Sequence, residues 1–492
     1  MGNDVIRQGR LTADRSGDIA VFLSSMKADR FIAQADVLVD IAHVVMLERR
    51  HILDTGTAGK LLAVLVRLHE EGVPEVAFDE GFEDIHAGIE SLIIAETGAE
   101  TGGRMHMGRS RNDEVATCIR IRIRADLLEQ MASLIRIREI LLTLAGKHTG
   151  TVMPGFTHFQ HAQPTTLAHH LLAYEQAFSR DFARLGEAYA RVNMSPLGAA
   201  AFASTGYPID RDLTAGLLGF DGLVLNTMDA VATRDFAMEV LGDLTILMTT
   251  VSRLCEEMII WSSAFVRFVD LDEAFCSTSS IMPQKKNPDT AEIMRAKSAS
   301  VLSAYTGAVV TVKGLPMSYN RDLQDLTPHV WRGMQDTAIS LRILGSLLAG
   351  AKFNAARMAE EAGKGYSTAT ELADTLVRNY GLPFRTSHNI VGRAVQKGDL
   401  SLATLDAAAR ELTGATLSAK GLTEKEVLAA LDVQNSVALR KAAGGPAPEA
   451  VGAALRDRQE LLAKDTAILE KRRAQVAEKE KALIETAQRM IP

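Results

Sequence analysis

The stretch LGDLTILMTTVSRLCEEMII, residues 241–260, places Leu244, Ile246, Leu247, Val251, Leu254 and Ile259 around much of a helical circumference. A helix apolar on most faces must be buried on most faces. It sits within a longer candidate helix running from about Asp229 to Ala264. Working outward, comparable runs extend from Asn112 to Ala145 and from about Thr166 to Asn193. Two more run from about Pro288 to Lys313 and from about Thr327 to Leu348. The 112–145 run contains neither Gly nor Pro, and Leu127, Met131, Leu134, Ile137 and Leu141 recur at helical spacing. Helices of about 25 to 35 residues span roughly 37–52 Å, longer than one compact domain usually needs. Five of them predict an all-α chain built on a central long-helix bundle, with further burial supplied by other copies of the chain. Sustained heptads with charged flanks, the mark of a coiled coil, are absent.

The flanks divide the 492 residues into three parts. Residues 1–110 read as an amino-terminal domain of shorter helices, 111–352 as the central bundle and 353–492 as a carboxy-terminal helical domain. The last segment, after Gly444-Gly445-Pro446, is a charged amphipathic run read as a solvated helix with salt-bridge pairs.

Composition narrows the function. Formal net charge is −7, which argues against a nucleic-acid or anionic-membrane surface. A substrate bearing several carboxylates would need local Arg, Lys and amide donors. The three cysteines, Cys118, Cys255 and Cys276, show no metal-ligand spacing, so neither a disulfide framework nor a metal site is expected. No signal-peptide core is seen in MGNDVIRQGR, and no apolar run reaches the roughly 18 residues of a membrane span. The expected location is the cytoplasm.

Dense polar chemistry collects between the helices, where catalytic groups tend to gather on a rigid scaffold. GGRMHMGRSRND, residues 102–113, combines glycines that admit close backbone approach with Arg and Asn donors suited to a carboxylate. It is equally a capped helix start, with Ser110 or Asn112 as the cap. MPGFTHFQHAQPTT, residues 153–166, holds two prolines, two histidines and two glutamines, more than a connection needs. His169 and His170 follow it, but adjacent residues on a helix diverge, so they do not form a metal pair. STSSIMPQKKNPD, residues 277–289, sets a serine run beside two lysines. That pattern supplies a nucleophile or base near positive charge, or else an ordinary flexible loop. A further polar segment, LPMSYNRDLQ, occupies residues 315–324.

Taken together these loops resemble the fumarase/aspartase superfamily, and more narrowly the argininosuccinate lyase family, from about Arg7 to the end. The signature-like match is SSIMPQKKNPD; GRSRND, MPGFTHFQHAQPTT, SPLGAAAFAS and YNRDLQ follow the family order. The resemblance implies a three-domain fumarase/aspartase-like fold, a homotetramer with a twenty-helix core, and active sites shared by three subunits. It implies a carbon–nitrogen lyase that splits an N-substituted aspartate by anti β-elimination into fumarate and an amine, with argininosuccinate the leading substrate. No cofactor, metal or nucleic acid is implied. The matching catalytic positions are Ser279 as base, Lys285, and His158 paired with Glu292. Carboxylate- and substrate-binding positions match at Arg111, Asn112, Thr157, Arg234 and Asn287, and Ser25, Asp29, Tyr319 and Gln324 match residues that hold the amino-acid end. Met107 stands where the family usually has Thr, and Thr327 where many members have Lys. Those departures keep two alternatives in view: a lyase for another N-substituted aspartate such as ethylenediamine-N,N'-disuccinate, and a silent crystallin-like structural protein. Adenylosuccinate lyases usually carry His-Lys where this chain has Gln284-Lys285.

Overall fold

A computed structural model describes residues 17–492; Arg7 and the rest of the amino-terminal segment lie outside the described residues. Five long helices form the centre: Arg111–Lys147, Leu167–Val192, Asp235–Ser262, Asp289–Val312 and Asp322–Gly350. The first two start on side-chain caps that satisfy free amides. Ser110 and Asp113 form a reciprocal capping box at the first, and the Thr166 hydroxyl accepts the His169 amide at the second. The fold is all-α, and the strands are five two-residue pairs that pin loops.

Packing follows the apolar spacing. Leu127, Met131, Leu134, Ile137 and Leu141 are fully buried, as are Leu241, Leu244, Leu247, Val251 and Leu254. Each such side chain contributes about 1.5–3 kcal/mol relative to exposure. Ile246, on the same helix, is 46% exposed, and Ile293, Leu302 and Ile339 on neighbouring long helices are also exposed.

Two helix boundaries differ from the sequence expectation. The 229–264 run is broken: Asn226 caps a short helix, Thr227–Ala232, and the long helix restarts at Asp235. Between them Arg234 leaves helical geometry (φ −135°, ψ 11°) and turns its side chain inward. The last long helix begins at Asp322, earlier than Thr327, with Pro328 inside it. Proline there removes one amide without ending the helix, since tertiary packing holds both flanks.

The terminal helix, Pro448–Met490, corrects the solvated reading. Its Leu455, Leu469, Leu483 and Ala487 join the main core. Its charged face docks too: Arg138, fully buried, bonds Glu175 at 2.9 Å and Asp465 at 2.7 Å, while Arg458 bonds Glu175 at 2.5 Å. Residues 372–430 carry a separate apolar core around Leu372, Leu376, Ile390 and Leu405.

The helix Ile85–Thr97 rests on the turn Glu75–Phe78 through Gly88, where a Cβ would sit 2.0 Å from the Ala77 carbonyl oxygen. Both partners are backbone, so neither yields cheaply. Gly88→Ala is expected to cost about 1–3 kcal/mol by overpacking. A thermal melt checks it; an unchanged Tm would mean that the two segments separate freely.

Candidate active site

One cavity collects residues from five distant segments: Ser25 and Asp29; Glu83, Asp84 and His86; Arg111 and Asn112; Arg234; and Tyr319, Arg321, Gln324 and Thr327. Seven of the nine substrate-binding positions expected from sequence line it. Thr157 and Asn287 do not.

The charges are arranged unevenly. Ser25 Oγ donates to Asp29 Oδ2 at 2.6 Å, and burial pushes the Asp29 carboxyl up to about 6. Arg111 Nη1 bonds Asp84 Oδ2 at 2.9 Å, leaving Nη2 without a hydrogen-bond partner among the described residues. Asn112 donates to the Ala201 carbonyl at 3.0 Å. Arg234 is 1% exposed and donates only to the Val231 and Thr233 carbonyls, at 3.2 and 2.7 Å. No carboxylate pairs with it among the described residues, its Nε is unsatisfied, and burial pulls it down to about 10. Burial also raises Tyr319.

Behind this wall lies an ionic layer that sequence reasoning missed. Arg109 bonds Asp40 at 2.5 Å and Glu114 at 2.9 Å, and His86 Nδ1 meets Asp36 at 2.9 Å, all buried. Asp36, Asp40 and Glu114 are close enough to hold a cation, but the Arg109 guanidinium already bonds two of them. A readable signal was there: Asp36, Asp40 and His43, spaced by four and three, share one face of the apolar helix Ala33–Arg49. Asp113 is a second omission. Its carboxylate accepts the Gly198 and Ala200 amides at 2.9 and 2.8 Å, tying the 195–204 loop to the helix bearing Arg111.

The signature-like loop stands apart from the cavity. Ser277 pairs with Asn287 and Thr278 with Lys286, making a hairpin that exposes residues 280–285 and leaves Ser279 half-buried. Ser279 Oγ accepts the Ile281 and Met282 amides at 3.3 and 3.1 Å. Lys285 Nζ bonds Asn287 Oδ1 at 2.7 Å rather than the serine, and Lys286 Nζ anchors the hairpin to Asp270 at 2.9 Å. Within one chain the contacts of Ser279 Oγ are thus backbone amides rather than a lysine.

His158 and Thr157 sit on another exposed hairpin, Phe156–Thr157 against Gln160–His161. Its two-residue turn puts His158 and Phe159 at φ +55° and +56°, a geometry that normally calls for Gly or Asn. Phe159 is 80% exposed. Glu292 lies exposed in the first turn of Asp289–Val312, and within one chain no hydrogen bond or ion pair joins it to His158. Of the two departures, Thr327 lines the cavity, its hydroxyl turned to the Leu323 carbonyl. Met107 does not; its carbonyl accepts from His43 at 2.9 Å.

Residues 74–303 match the Lyase family and residues 366–438 the argininosuccinate lyase C-terminal family. The chain is 62% identical to an argininosuccinate lyase of Methanoculleus marisnigri, over 95% of each. It is 56% identical to an argininosuccinate lyase of Methanospirillum hungatei, over 100% of this chain and 99% of that one. An EDDS lyase variant with bound fumarate superposes with a TM-score of 0.85 at 30% identity, covering 100% and 99%. By sequence over nearly its whole length, by fold and by both family matches, the chain belongs to the argininosuccinate lyase family of the fumarase/aspartase superfamily.

Proposed function

We propose that this protein cleaves argininosuccinate to arginine and fumarate by anti β-elimination. The observation that carries the reading at the site is Arg234, a buried guanidinium without a carboxylate, opening into a cavity with Arg111 and Asn112. A buried unpaired charge is costly, and a substrate carboxylate is the partner that repays it. Asp29, Ser25, Tyr319 and Gln324, lining the same cavity, suit the amino-acid end.

Ser279 removes the proton from the carbon beside a succinyl carboxylate. A hydroxyl is too weak an acid to serve unaided, and the two amides on Oγ favour its ionised form. The electron pair moves into the carboxylate, giving an aci-carboxylate held by Lys285, Asn287 and Thr157. The carbon–nitrogen bond then breaks, His158 with Glu292 supplies a proton to the departing guanidino nitrogen, and the pair forms the fumarate double bond. These donors act on charge that appears only along the reaction.

The cavity, the Ser279 hairpin and the His158 hairpin belong to different parts of one chain, and the last two are exposed. We infer a homotetramer in which three subunits complete each site. Exposed Ile246, Ile293, Leu302 and Ile339 on the long helices, and the strained His158–Phe159 turn projecting from the surface, support that reading. The proposed domain division remains 1–110, 111–352 and 353–492, with the terminal helix returning to the bundle. No described helix is long and apolar enough to cross a membrane; cytoplasmic location is part of the proposal.

The test is fumarate release, followed by ultraviolet absorbance, from argininosuccinate and from ethylenediamine-N,N'-disuccinate. Release from the first alone supports the reading; release from the second alone moves the chain to the EDDS lyases.

Asp29 adds a pH signature. Held at about 6 by burial, it takes up a proton as pH falls from 7 to 5 and loses its attraction for an ammonium group. KM for argininosuccinate is expected to stand about tenfold above its high-pH value one unit below that pKa. Stability moves oppositely: the folded pKa lies above the unfolded one, so this group destabilises the fold most above pH 6, and that cost fades as pH falls through 6 towards 4. A KM profile checks the sign, and Asp29→Asn flattens it.

A further inference from the structure

His86 follows directly on Ile85, whose amide reaches Asp29 Oδ2 at 3.4 Å, and its imidazole lines the same cavity. The ring is 6% exposed. Nδ1 meets Asp36 at 2.9 Å as an ion pair, whereas Nε2, equally buried, has no ion-pair partner; neither nitrogen has an aligned hydrogen bond among the described residues. Buried donors are rarely left unsatisfied, and one that opens into a cavity points to a ligand.

The charge state fits an anion. Burial works against protonation here, but the carboxylates of Asp36 and Glu114 outweigh it and keep His86 charged well above its ordinary value. Arg234 and the open Nη2 of Arg111 are the cations read above for the succinyl carboxylate, so a second anion needs another partner. Arg321 is engaged by the Leu23 carbonyl and Glu83, at 2.9 and 2.7 Å, and Arg111 by Asp84. Thr327 is neutral, with its hydroxyl turned to its own helix.

An α-amino acid presents an ammonium and a carboxylate on one carbon. The Asp29 carboxylate and the His86 imidazolium, brought together through the Ile85 amide, complement such a pair. We infer that His86 is a substrate-binding residue that donates Nε2–H to the α-carboxylate at the amino-acid end of the substrate. The assignment rests on the lyase reading and names the contact that Asp29 alone cannot make. Asp36 is its positioning residue: it fixes the ring and favours the protonated form, with Nε2–H turned to the cavity.

The reverse reaction separates the two ends, because arginine and fumarate are varied independently. In His86→Gln the KM for arginine is expected to rise at least about tenfold, the loss of one charge-assisted bond, while KM for fumarate stays within about twofold. Equal KM values for arginine in the variant and the parent would overturn the assignment, as would a rise for both substrates together. A measurement on the unmodified enzyme guards against a variant that fails to fold. Agmatine, which is arginine without its carboxylate, should be added to fumarate at least tenfold less efficiently than arginine. Equal use of agmatine overturns the proposal without any substitution. If argininosuccinate is not turned over at all, the lyase reading itself fails and this contact with it, an outcome distinct from a working lyase indifferent to the carboxylate.

Discussion

Ser279→Ala is expected to lower kcat for fumarate release by about a thousandfold while leaving KM within a few-fold. The size follows from general-base catalysis, which contributes about 10²–10⁴-fold when the base is positioned at the proton it removes. The split follows from geometry: Ser279 lies on an exposed hairpin outside the cavity that holds Ser25, Asp29, Arg111, Asn112 and Arg234, so ground-state binding does not depend on its hydroxyl. Loss of an interaction made only on the way to the transition state lowers kcat rather than raising KM. Stability should not change, since only two amides on a solvent-facing loop lose a shared acceptor, and exposed substitutions usually stay within about 0.5 kcal/mol. Steady-state kinetics with a parallel thermal melt decide the matter. Activity within tenfold of the parent would show that another group takes the proton, and a raised KM with intact kcat would make Ser279 a binding residue instead.

The bundle was legible because its signal is local. Runs with 3.6-residue spacing, broken at most by an isolated glycine or a proline at the start, located Arg111–Lys147, Leu167–Val192 and Asp289–Val312 to within two residues. Prediction slipped where tertiary forces act on the backbone. Arg234 breaks its run because its guanidinium turns into the cavity, and Pro328 is tolerated because the helix around it is packed. The same division holds at the site. Residues carrying a recognisable loop pattern were found, whereas Asp36, Asp40, His86 and Glu114 sit inside helices, where isolated charges look like ordinary surface. Their meaning appears only when Arg109 is folded in from the 102–113 loop to bond two of them. The terminal helix was misjudged for a related reason: Glu/Lys/Arg-rich sequence looks solvated until Arg138 supplies a buried partner for Asp465.

Arg234→Met is expected to lower catalysis while leaving stability nearly unchanged. In the folded protein the guanidinium is 1% exposed and held at about 10, below its ordinary 12.5, because burial disfavours the charged form. That depression corresponds to about 3 kcal/mol that the fold spends on keeping the charge at neutral pH. Two carbonyl bonds, to Val231 and Thr233, would be lost on substitution, costing about 1–3 kcal/mol together. The two terms nearly cancel, so a methionine of similar volume should leave Tm within a few degrees. Catalysis has no such compensation. Removing one partner of a desolvated charge pair with substrate costs about 2–5 kcal/mol, which is a thirtyfold to several-thousandfold loss in kcat/KM. An arginine placed for folding alone would behave in the reverse way, lowering Tm and sparing kcat/KM. Loss of kcat/KM with unchanged melting therefore assigns the guanidinium to the substrate, and Arg234→Lys distinguishes charge from geometry: a restored positive charge without the planar fork should recover only part of the loss.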